Sequence, residues 1–95
     1  MAIGVIGAGS FGEKRAKGVL ACSEAKLIGV ADVDLSRSQS LAVQLHLEPL
    51  SVDELINHPE ITLISISVPN DQHMPLAVRC FEAGKHVLCE KPLAR

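Results

Sequence analysis

Aromatic side chains are scarce in this 95-residue chain: Phe11 and Phe81 stand alone, with no Trp and no Tyr. That argues against a base-stacking nucleic-acid platform, which needs aromatic faces. An excess of either charge is missing too. Nine Lys and Arg face eleven Asp and Glu, for a formal net charge of −2, too small and of the wrong sign for a phosphate-backbone binder. Neither nucleic acid nor an anionic membrane is implied as a partner. The three cysteines, Cys22, Cys80 and Cys89, are odd in number and lack Cys-x-x-Cys spacing. They fit neither a disulfide framework nor a zinc knuckle, and point to reduced thiols in a cytoplasmic protein. No stretch approaches the roughly 20 apolar residues of a membrane span. The apolar N-terminus is broken by glycines and has no basic segment before it, so it does not have the form of a secretory signal.

What is present is a globular composition, 47% hydrophobic and 21% charged, in a length suited to one domain. A chain of this size buries somewhat over 60% of its unfolded surface, enough for one core without staples. The hydrophobic period alternates along it. Residues 2–6 (AIGVI) form a nearly all-apolar run, as in a strand buried on both faces. Ala16, Val19 and Leu20 then mark a helix over about 10–22. Lys26 to Ala31 is a second apolar run, and Leu41, Ala42 and Leu45 suggest a helix over about 35–46. A weak third strand is expected near 48–51, followed by a short helix over 52–57 capped by Ser51 or Asp53. Ile61 to Val68, rich in β-branched residues and closed by Pro69, is the clearest strand. The next helix carries Leu76, Ala77, Cys80 and Phe81 as its apolar stripe. Asn70 or Asp71 can cap it, Pro75 is expected near its first turn, and Gly84 ends it. His86 to Cys89 is a last strand. The order βαβα(β)αβαβ predicts a mostly parallel sheet of about five strands, with helices on both faces and right-handed crossovers.

Three motifs carry chemistry. Gly7-Ala8-Gly9-Ser10-Phe11-Gly12 is a G-x-G-x-x-G between a strand and a helix. Gly7 permits the tight turn, Gly9 lets the backbone approach a pyrophosphate, and Gly12 lets the helix pack closely, while free N–H groups at the helix start face the phosphates. Such a pattern arises by chance in roughly 3% of chains this long, given glycine near 7% of residues; its place at the first strand-to-helix turn is what gives it weight. Asp32 follows Gly12 by 20 residues and ends the second strand, where a carboxylate accepts both hydroxyls of an adenosine ribose. A carboxylate there repels a 2′-phosphate and favours NAD over NADP. Two alternatives stay open: Asp34 as the ribose acid, and Arg37 as a phosphate ligand rather than a solvated helix residue. Glu13, Lys14, Arg15 and Lys17 form a charge cluster best explained as a solvated helix face.

The second motif is Val68-Pro69-Asn70-Asp71-Gln72-His73, at the end of the strand over 61–68, on the edge where open α/β sheets bind ligands. Asn70 and His73 would point toward a bound cofactor; on composition alone they are a helix cap and a surface residue. The third is Cys89-Glu90-Lys91-Pro92, at the same edge. A lysine beside a carboxylate there could donate a proton to a substrate oxygen during hydride transfer, whereas in isolation Glu90 and Lys91 are ordinary exposed residues. Cys89 has no evident base to activate it. His46, His58 and His86 share no metal-binding spacing.

Taken together, GAGSFG, VADVD, SVPNDQHMPLA and EAGKHVLCEKPLA, in that order, resemble the N-terminal nucleotide-binding domain of the glucose-fructose oxidoreductase, inositol dehydrogenase and rhizopine-catabolism (Gfo/Idh/MocA) family, over essentially the whole chain. The resemblance implies a Rossmann-type fold and an NAD(P)-dependent oxidoreductase that passes a hydride between cofactor and a sugar, cyclitol or related polyol. Members that reduce biliverdin, cleave glycosides or dehydrogenate other substrates also exist. It implies that Gly7, Ala8, Gly9, Ser10, Phe11 and Gly12 form the pyrophosphate loop and that Asp32 is the ribose acid. Val68, Pro69, Asn70 and His73 would flank the nicotinamide half, Glu90 would contact the nicotinamide ribose, and Lys91 would orient substrate and assist proton transfer. Arg15 stands where the family often has His. The family continues beyond this motif with a substrate domain, so residues 1–95 are expected to be a dinucleotide-binding domain incomplete at its C-terminal end and not catalytically competent alone. A separate polypeptide supplying the missing domain is then an expected partner. The alternatives are a non-catalytic NAD-binding or partner-interaction module and an inactive remnant.

Overall fold

A computed structural model describes residues 1–7, 10–47, 50–67 and 70–89, of which 10–12, 70–74 and 89 by backbone alone. The elements run β1 (Ala2–Ile6), α1 (Ser10–Ala21), β2 (Lys26–Ala31), α2 (Leu35–Leu45), α3 (Val52–Ile56), β3 (Leu63–Ile66), α4 (Asn70–Glu82) and β4 (His86–Cys89). All three strand pairings are parallel, in the spatial order β2-β1-β3-β4. The chain starts at the centre of the sheet, builds outward to β2, then returns to the other side of β1 for β3. The carboxyl end of β1 is therefore a topological switch point, the place where open α/β sheets take ligands.

Alternation of side chains along the strands divides the core in two. On one face Leu55, Ile56, Ile61, Leu76, Ala77 and Cys80 cover Ile6, Ala31, Ile64 and Ile66. On the other, Ala16, Leu41 and Ala42 cover Val5, Leu27 and Val30. Gly4 lies on the first face at the centre of β1, where an added Cβ would stand 2.9 Å from both Ile61 Cδ1 and Leu55 Cδ2. Both neighbours are fully buried, so neither has room to retreat, and only glycine lets them cross the strand this closely. α4 ends at Gly84, whose φ of 79° suits a residue without Cβ, and the Lys85 N–H donates to Cys80 O at 3.0 Å. The Lys85 ammonium then donates to the carbonyl oxygens of His58 and Ile61, the latter at 2.6 Å, tying the start of β4 to the loop that leads into β3.

Four expectations change. The described residues contain four strands, not five. Of the segment expected as a third strand, Leu50 packs against the Leu55–Ile61 cluster and Ser51 caps α3, while 48–49 lie outside the described residues. Ser51 Oγ accepts the Glu54 N–H at 3.0 Å and Glu54 Oε1 accepts the Ser51 N–H at 2.8 Å, a capping box that turns this backbone toward a helix. β3 is shorter than the apolar run that predicts it, because Ile61 drops into the core before the strand begins. Phe81 and Leu20 are exposed although both extend helical stripes. Pro75 is the sixth residue of α4, beyond the first turn where its missing N–H costs nothing.

Candidate dinucleotide site at the carboxyl edge

Because every strand is parallel, all carboxyl ends meet one edge. β1 leaves the sheet through Gly7, whose φ of 109° is closed to ordinary L side chains. Its N–H donates to Ala31 O at 2.7 Å, anchoring the turn to the last residue of β2, next to Asp32. On the other side the Ser67 N–H donates to Ile6 O at 2.8 Å. Gly7, Asp32 and Ser67 thus stand side by side, and α1 opens at Ser10 with its first-turn N–H groups at this same edge. Ser10, Phe11 and Gly12 form that first turn; Ala8 and Gly9 lie outside the described residues.

Asp32 is only 7% exposed, and its Oδ1 accepts the Asp34 N–H at 2.8 Å. An enclosed carboxylate is costly unless hydrogen-bonded, and this backbone donor fixes its orientation. Asp34 is turned to a different task. Its Oδ1 accepts both the Ser36 N–H at 3.1 Å and the Ser36 hydroxyl at 2.6 Å, capping α2, and Arg37 Nε lies 3.7 Å from its Oδ2. The Ser36 hydroxyl, helped by backbone N–H groups and by the Arg37 charge, holds the Asp34 carboxyl below its ordinary pKa. Between α1 and α2 runs an open groove of about 320 Å³ lined by Glu13, Ser36, Arg37, Ser40, Leu41 and Gln44. Glu13 is paired with Lys17 at 2.9 Å, one helical turn on, and that hydrogen bond and charge lower its pKa. Lys14 and Lys17 are exposed as a solvated face requires, whereas Arg15 is half-buried with its Nε enclosed.

Asn70 and His73 open α4 at the same edge. Val68, Pro69, Glu90 and Lys91 lie outside the described residues. Ser67 is not among the residues singled out by sequence, yet its hydroxyl is buried at this edge with no hydrogen-bond partner among the described residues; the signal available is a serine near the end of an apolar run. Among the described residues no group of three His, Cys, Asp or Glu could hold a metal, and no helix is long and apolar enough to cross a membrane.

Comparison with known proteins agrees with this arrangement. The model of the Gfo/Idh/MocA oxidoreductase family, NAD-binding Rossmann fold, matches residues 1–95. An uncharacterised oxidoreductase of Rhizobium meliloti is 38% identical over 94 residues, covering 96% of this chain and 28% of that protein. An inositol 2-dehydrogenase of the same species is 33% identical over 90 residues, covering 95% of this chain and 27% of the relative. Among solved structures, GenD2 from gentamicin A biosynthesis, in complex with NAD, superposes with a TM-score of 0.90 at 27% identity, covering 99% of this chain and 27% of that one. Biliverdin reductase from Synechocystis sp., in complex with biliverdin and NADP+, gives 0.87 at 31% identity, covering 98% and 30%. The chain thus spans less than a third of the relatives it matches. With the parallel sheet, the glycine turn and the family model in agreement over the whole length, the chain belongs to the Gfo/Idh/MocA oxidoreductase family, as its NAD-binding Rossmann domain.

Proposed function

We propose that this chain binds NAD across the carboxyl edge of its sheet and serves as the nucleotide-binding part of an oxidoreductase acting on a sugar, cyclitol or related polyol. The observation that carries the reading is Asp32: an enclosed carboxylate at the end of β2, oriented by the Asp34 N–H and set beside a turn that Gly7 alone can make. A carboxylate so placed accepts ribose hydroxyls and repels a 2′-phosphate. In this reading Gly7, Ala8, Gly9, Ser10, Phe11 and Gly12 cradle the pyrophosphate, using the N–H groups at the start of α1. Val68, Pro69, Asn70 and His73 flank the nicotinamide half, and Glu90 meets the nicotinamide ribose. The bound nicotinamide would supply a hydride acceptor or donor at its C4. Lys91 orients the substrate hydroxyl and moves its proton. The inositol dehydrogenases among the relatives support a polyol as substrate class, and polypeptide beyond these 95 residues would supply the substrate pocket.

Calorimetric titration tests the cofactor assignment. Saturable NAD+ binding is expected, weakened about tenfold or more by Asp32→Ala, since hydrogen bonds to a charged group are worth roughly 1.5–3 kcal/mol. Absence of binding to the wild-type chain would overturn it. The 95-residue chain alone is expected to show no NAD-dependent turnover of inositol or glucose; measurable steady-state turnover would refute the need for further polypeptide.

A further inference from the structure

We propose that Asp34 is a second determinant of cofactor choice, a positioning residue that holds Arg37 and Ser36 away from the place a ribose 2′-phosphate would occupy. This rests on the dinucleotide reading of the edge. Asp32 accounts for repulsion of a 2′-phosphate, but the first turns of α2 also carry features that attract one. Ser36, Arg37 and Ser40 line the same groove, two hydroxyl donors and a guanidinium close to a helix N-terminus, a donor set suited to phosphate. The structure shows two of the three already engaged. The Ser36 hydroxyl gives its hydrogen to Asp34 Oδ1 at 2.6 Å, and Arg37 Nε faces Asp34 Oδ2 at 3.7 Å. The same aspartate donates its own N–H to Asp32, so one residue orients the ribose acid and occupies the donors that would compete with it. A phosphate drawing on Ser36 and Arg37 must displace the Asp34 carboxylate from them, and Glu13 adds a negative charge to the lining of the groove.

The Asp34–Arg37 pair is well exposed, and exposed pairs are individually weak. Its release should therefore tune the preference without inverting it, since Asp32 remains. Asp34→Asn separates the capping task from the charge, because the amide oxygen still accepts from the Ser36 N–H. The test measures Kd for NAD+ and NADP+ on the wild-type chain, Asp34→Asn, and Asp34→Asn combined with Arg37→Gln. In Asp34→Asn the NADP+ Kd should fall about three- to tenfold while that for NAD+ moves less than about twofold. Adding Arg37→Gln should cancel the gain. An unchanged ratio in Asp34→Asn, or a gain that survives loss of Arg37, overturns the proposal and leaves the dinucleotide reading standing. A wild-type chain that binds neither cofactor overturns both.

Discussion

The two halves of the sheet are covered differently, and one row of residues running across it shows how. Val30, Val5, Ser65 and Leu88 are register partners on β2, β1, β3 and β4 and share one face. Their exposures are 0%, 0%, 1% and 44%. α1 packs on β1 and β2 and α2 on β2, while α3 and α4 cover the opposite face. Half of the sheet is therefore enclosed on both sides, whereas β4 is enclosed on one side only among the described residues. β4 and β2 are both edge strands, but only β4 carries the exposed Leu88, and Phe81 and Val78 of α4 stand exposed as well. The enclosed half is the one that carries Gly7, Asp32 and Asp34, so the adenosine end of the proposed site is built by well-packed elements.

The largest effect expected from this asymmetry comes from removing the same side chain in both halves. Leu55 is fully buried in the first core cluster, and Leu55→Ala should cost about 2–5 kcal/mol in urea unfolding, a transfer loss plus an unfilled cavity. Leu88→Ala should stay within about 0.5 kcal/mol. Equal losses would mean that the Leu88 face is covered in solution and that the asymmetry does not hold there.

A smaller and sharper comparison uses serine. Ser38 and Ser65 are each 1% exposed, yet Ser38 Oγ donates to Leu35 O at 3.1 Å while the Ser65 hydroxyl has no partner among the described residues. A made hydrogen bond contributes about 1 kcal/mol, and a buried hydroxyl left unmade costs about 1–3 kcal/mol. Ser38→Ala should therefore destabilise by about 1 kcal/mol and Ser65→Ala should stabilise by a similar amount. Substitutions of the same sign would show that Ser65 finds a partner in solution.

Much of this was legible in the sequence because short apolar runs and capping residues are local signals. The AIGVI and KLIGVA runs became β1 and β2, Ser51 capped α3 as its spacing to Glu54 allows, and Asp32 fell at the end of β2. The misplaced elements depended on what lies alongside. Phe81 follows Cys80 by one residue, 100° around the helix, and periodicity cannot say how wide an arc a neighbour covers. Residues 48–51, Glu-Pro-Leu-Ser, carry only a weak strand signal, and Leu50 packs against the core cluster instead. At the site, a carboxylate 20 residues past the glycines is a spacing signal. The Asp34–Ser36–Arg37 arrangement is the cap and first turn of α2, and its one available cue was an aspartate immediately before a helix start.

Acid titration gives the smallest expected effect and concerns the exposed Asp34 at the start of α2. Hydrogen bonds from Ser36, with the Arg37 charge, lower the folded-state pKa of Asp34 from its ordinary 3.8. A carboxyl with a depressed folded pKa stabilises the fold fully above its unfolded pKa, and that contribution is lost as pH falls through the folded value. Any advantage of the wild-type chain over Asp34→Asn should therefore be constant between pH 7 and about 5 and fade below about 4. Asp34 is solvent-exposed and Asn also caps helices well, so the advantage should be small throughout. Thermal melts of the two chains across this range check it. An advantage that persisted undiminished to about pH 2 would show that the Asp34 contribution comes from side-chain shape, and the charge on which the Arg37 contact depends would then play no part in holding the start of α2.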